Sequence, residues 1–159
     1  MNELDTLHKE TEQMEEHIAA LEQAFAAYRQ DLEESEKKHR LTDGLFGFGS
    51  SLKDDPCHER LDRRVEKTVA RMASCSPSPE SAECALQMLL LRDRRESWPL
   101  SAEWMLCAIE RHSIPLIPFL SPEKAAVLMK EYAARYKPWD RLPAQKQVLR
   151  ELKRRASAS

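Results

Sequence analysis

Along the first part of the chain, apolar residues recur at alternating steps of three and four. They are Leu4, Leu7, Met14, Ile18, Leu21, Phe25, Tyr28 and Leu32, with Thr11 in the one polar slot. This is the a/d spacing of a heptad helix, which brings every such side chain onto one seam. Neither glycine nor proline occurs from Met1 to Asp43, so the pattern predicts one long amphipathic, coiled-coil-like helix over residues 1–40. Ala19, Ala20, Ala24, Ala26 and Ala27 widen its apolar face, which suits packing in a bundle better than a strict two-stranded coil.

The pattern breaks over residues 41–55, which hold all three glycines, Gly44, Gly47 and Gly49, around Leu45, Phe46, Phe48 and Leu52. Such a stretch predicts a glycine hinge loop. Phe46 and Phe48 either tuck under the long helix or serve as a docking loop for a partner's groove. The loop lacks the Gly-Lys-Ser/Thr that a phosphate-cradling loop places at the start of a helix.

Helical periodicity resumes in residues 56–159. Asp55 caps a helix whose first residue is Pro56, with Leu61, Val65, Val69 and Met72 on one face. Ser81-Ala82-Glu83, Ser101-Ala102-Glu103 and Ser121-Pro122-Glu123 then recur at 20-residue steps, each followed by matching apolar positions. Ser78, Ser101 and Ser121 are the expected N-caps of three short helices. A last helix, from Pro143 to about Arg155, points Val148, Leu149 and Leu152 inward. Strand-forming runs are hard to find. The expected fold is therefore all-α: a long N-terminal helix, a hinge, and a compact body of about five short antiparallel helices.

Charge divides the chain. Residues 1–40 carry 11 acids against 5 bases, a net −6, while the remainder carries 16 acids and 20 bases, a net +4. With Leu4 at position a, the flanking positions from Glu3 to Glu36 hold Glu3, Glu10, Glu15, Glu22, Asp31 and Glu36, with Arg29 the only base among them. Two such helices repel each other in either orientation, so the seam is expected to meet a basic surface on its own chain or a neighbour's. No stretch approaches the roughly 18 consecutive apolar residues of a membrane span, and the acidic N-terminus lacks a signal-peptide pattern. Those features predict a cytoplasmic protein with no membrane partner.

Candidate chemistry adds little. The four cysteines form no C-x-x-C pair, and a zinc site drawn through Cys57, His58, Cys75 and Cys84 has no recognised ligand spacing. His112 is expected to close the second repeat helix, where an imidazolium suits the C-terminal dipole. No H-E-x-x-H, G-x-S-x-G or dinucleotide fingerprint occurs. The sequence thus predicts no catalytic residue, no cofactor and no metal ligand set. The expected function is a non-catalytic interaction or assembly module. Its partner is a protein, either another helix or a second copy that swaps the N-terminal helix into a homodimer. The partner-binding seam would be Leu7, Met14, Ile18, Leu21, Phe25 and Tyr28. The alternative is a nucleic-acid-associated accessory protein using a basic surface that includes Arg63, Arg64, Arg94 and Arg95. Interleaved acids and a pI near 6.2 count against it.

Overall fold

The computed structural model describes residues 3–46, 55–91, 98 and 100–158, with side-chain surroundings for residues 3–5, 12–38, 55–91, 98 and 102–158. The described residues form helices and connecting turns, with no strand among them. The α-helices are α1 (Glu3–Phe46), α2 (Pro56–Ser74), α3 (Pro79–Leu90), α4 (Leu100–Ile109), α5 (Pro122–Ala133) and α6 (Pro143–Ala156). A 3₁₀ segment, Glu110–Phe119, joins α4 to α5, and a shorter one, Pro138–Asp140, joins α5 to α6. The all-α expectation is met, with one long helix followed by five shorter ones.

α1 continues to Phe46, six residues beyond the expected boundary at residue 40. Gly44 sits inside it, because a single interior glycine costs a helix only about 1 kcal/mol and does not by itself stop it. The rest of the expected hinge, residues 47–54, lies outside the described residues.

α1 packs chiefly on α2 and runs antiparallel to it. Ser35 meets Asp55, Asp31 meets Arg60, Tyr28 meets His58, and His17 lies beside Cys75. Met14, Leu21, Phe25, Tyr28 and Leu32 are buried in one core cluster with Leu61, Val65, Val69 and Met72, and Ile18 packs against it. The seam is therefore covered by the chain's own body. The next heptad position after Leu32 is Ser35, also buried, whose hydroxyl donates to the Asp55 carboxylate. Asp55 in turn accepts the Cys57 backbone N–H at 2.9 Å and caps α2, with Pro56 following as expected. Burial alone would raise the Asp55 pKa, but the hydrogen bonds from Ser35 and Cys57 outweigh it and hold the carboxyl down at about 2.

Helix ends explain most of the remaining path. α2 stops where Ser76 adopts a left-handed φ of 49° just before Pro77. Ser78 and Ser121 cap α3 and α5, each accepting the N–H three residues on at 3.2 Å. α4 already includes Leu100, so Ser101 falls inside its first turn and not before it, where a cap is expected. α6 begins with the Leu142 N–H donating to Gln145 Oε1 at 2.7 Å, half of a capping box, since leucine offers no acceptor in return. The connection into α4 is held by rings: Tyr28 stacks near His58 and Trp98, and Trp104 lies against His58.

The 3₁₀ segment Glu110–Phe119 packs on α2, α3, α4 and α6, at the centre of the body. In a 3₁₀ helix, side chains three apart eclipse. Glu110, Ser113 and Leu116 accordingly form one buried face, while Pro115 and Pro118 share an exposed ridge with the half-buried His112. His112 therefore lies in this segment, and it does not close α4 as expected, because α4 ends at Ile109.

Candidate functional site: a basic groove between the last two helices

Of the residues expected to bind partners, Met14, Leu21, Phe25 and Tyr28 are buried within the chain and Ile18 is half-buried against the same core. Of the two covers expected for this seam, the chain's own body or a neighbour's, α2 and its neighbours in the same chain occupy it in this structure. Arg63 and Arg64 are exposed on α2, and Arg63 is paired with Glu59 at 2.6 Å one turn back. The side chains of Leu7 and Phe46, together with Phe48, Arg94 and Arg95, lie outside the described residues.

The structure brings together a set of residues that the sequence reading did not. α5 and α6 lie side by side and enclose a surface groove of about 620 Å³. Ala126, Met129, Ala133 and Leu149 form its apolar floor, and Lys130, Arg141, Lys146, Arg150 and Lys153 form its rim. Five cations and no acid line it. The spacing is informative. Ala126, Met129, Lys130 and Ala133 stand at i, i+3, i+4 and i+7 on α5, and Lys146, Leu149, Arg150 and Lys153 do the same on α6. Two facing stripes of that period are the walls a third helix packs against. Exposed apolar side chains nearby in the chain, Val127 on α5 with Trp139 and Leu142 in the α5–α6 connection, add to the apolar surface of this half.

The groove rests on a rigid base. Glu110 is fully buried and accepts hydrogen bonds from the Tyr132 hydroxyl and, at 2.8 Å, from the Tyr136 hydroxyl. The two rings meet edge to face at 5.5 Å. Burial first, and then the charge of Glu110, push both phenol pKa values well above the usual range, so both hydroxyls keep their protons and donate. Cys107 Sγ lies 3.7 Å from the Tyr136 hydroxyl. Arginines secure the frame: Arg135 donates to the Leu90 carbonyl, Arg155 to the Leu120 carbonyl at 2.5 Å, and Arg141 to the Ala133 and Tyr136 carbonyls at the end of α5.

Such a groove holds a ligand by burying its apolar stripe and neutralising its acids. No helix among the described residues is long and apolar enough to cross a membrane. No family model, no curated protein and no solved structure matches the chain.

Proposed function

We propose that this protein is a non-catalytic assembly module whose α5–α6 groove receives an acidic amphipathic helix, supplied by the first turns of α1 from a second copy. The observation that carries this reading is the groove itself, with an apolar floor at helix-packing spacing under a rim of five cations and no acid in its lining. The first turns of α1 have the complementary chemistry. Glu3, Asp5, Glu10 and Glu12 surround Leu4 and Leu7, with Lys9 the one base among them. The described side chains before Met14, namely Glu3, Leu4, Asp5, Glu12 and Gln13, are exposed. The segment from Glu3 to Met14 spans about 17 Å of helix, longer than the two turns over which each lining stripe of the groove runs. Charge complementarity would set the register and speed the encounter, and burial of the leucines would supply the affinity.

Light scattering at low and high salt tests the proposal. The unaltered protein is expected to show a mass above one chain that falls as salt screens the rim. Lys130→Glu with Arg150→Glu, and separately Leu4→Asp, should each return it to a single chain. A single-chain mass for the unaltered protein at every concentration overturns the proposal. A single-chain mass with salt-sensitive retention on heparin, lost in the double charge reversal, replaces it with the nucleic-acid reading.

A further inference from the structure

Asp62 and Glu66 stand one turn apart on α2, so their carboxylates share a face. His112 arrives from the 3₁₀ segment packed across that helix, and its Nε2 lies 2.8 Å from Asp62 Oδ1. One oxygen of each carboxylate and one imidazole nitrogen all fall within 4.8 Å of one another. Around a divalent ion held at about 2.0–2.2 Å, neighbouring ligand atoms are separated by roughly 3.0–3.5 Å. The widest gap among the three atoms exceeds that separation by under about 2 Å.

A simple pin between α2 and the 3₁₀ segment would need only Asp62 and His112. Glu66 is the third vertex, and among the described residues it has no hydrogen bond or ion pair of its own. Two carboxylates thus converge on a space where the imidazole offers at most one positive charge. A divalent cation balances that excess, and solvent alone leaves the carboxylates repelling each other.

We propose that Asp62, Glu66 and His112 bind a divalent transition-metal ion of the zinc class. The imidazole nitrogen selects zinc, cobalt or nickel over magnesium and calcium, which take all-oxygen sets. The His112 side chain is 12% exposed and Asp62 31%, while Glu66 is exposed outright, so the site opens to solvent on one side. Three protein ligands with an open side leave a coordination position for water. The bound ion would clamp the central 3₁₀ segment to α2.

Equilibrium dialysis with Zn²⁺ and visible titration with Co²⁺, on fully reduced protein, test the site. One ion per chain is expected, with weak d–d bands, no thiolate charge-transfer band and no competition from Mg²⁺. Glu66→Gln removes a ligand from an exposed position that supports no packing, so the variant should fold normally and bind at least about tenfold more weakly. His112→Gln should bind more weakly still, and zinc should raise the melting temperature of the unaltered protein more than that of either variant. Absence of binding to the unaltered protein overturns the assignment. So does affinity unchanged in both variants, or a thiolate band, which would place the ion at cysteine.

Discussion

The two halves of the core are built differently. Where α1 meets α2, the contact is an apolar stripe of Met14, Leu21, Phe25, Tyr28 and Leu32 against Leu61, Val65, Val69 and Met72. Polar contacts accompany it along its length, Ser35 with Asp55, Asp31 with Arg60, Tyr28 with His58 and His17 with Cys75. Around the 3₁₀ segment, the centre of the packing is a buried carboxylate held by two phenols, with arginines reaching in to close main-chain carbonyls. An apolar stripe gains free energy in proportion to area and tolerates substitutions of similar volume. A buried carboxylate is stable only in one arrangement, because every displaced donor leaves a charge without a partner. The first half therefore supplies much of the apolar burial, and the second fixes where α5 sits, and with it the groove.

Single substitutions can break this comparison. The largest effect is expected at Glu110. Glu110→Ala leaves the buried Tyr132 hydroxyl without its acceptor, at about 1–3 kcal/mol, takes one partner from the half-buried Tyr136 hydroxyl and adds a cavity, for a loss of about 4 kcal/mol. Glu110→Gln keeps an acceptor and should cost far less. In the stripe, Leu21→Ala should cost about 3 kcal/mol through lost burial and the space left behind. Urea unfolding of the three variants measures both. If Glu110→Ala proves milder than Leu21→Ala, the polar half is not the more demanding one.

The smallest effect sharpens the boundary between the halves. Asp55 titrates at about 2 in the folded chain and near 3.8 in a free one. Its folded pKa is depressed, so its stabilisation is complete above about pH 4 and is lost as pH falls from there towards 2. The partly exposed carboxylate is screened by water, so the contribution is about 1 kcal/mol. Asp55→Asn keeps a cap but not the charge, and it should flatten this part of the melting-temperature profile. An unchanged acid slope in that variant would assign the slope to other carboxylates.

How much of this was legible in the sequence follows the same division. The α1 seam could be read because a heptad is a local pattern and its partner surface, wherever it comes from, has to be apolar. Asp55, Ser78 and Ser121 could be read as caps because capping acts over three residues. Ser101 misled about where α4 begins, since that helix already includes Leu100. The 3₁₀ segment was hidden because Pro115 and Pro118 mark a connector. The signal that could have found it was the three-residue step through Glu110, Ser113 and Leu116, at odds with a 3.6 period. Glu110 itself looks like any surface acid until Tyr132 and Tyr136, 22 and 26 residues away, are brought onto it. The groove was missed for a similar reason. Lys130 and Lys146 read singly as solvated charges, and only the pairing of α5 with α6 sets them on one rim. The metal triad needs partners 50 residues apart.

The packing of α1 over the start of α2 also leaves a chemical timer in the molecule. Cys57 lies beneath Ala24, Tyr28 and Asp31, and burial, followed by its hydrogen bond to Asp55, pushes its thiol up to about 12. Alkylating reagents attack thiolates, so the folded chain should surrender the exposed Cys84 readily and Cys57 only when α1 peels away. The rate at which Cys57 in particular takes up label would count the openings of the long helix, one event at a time.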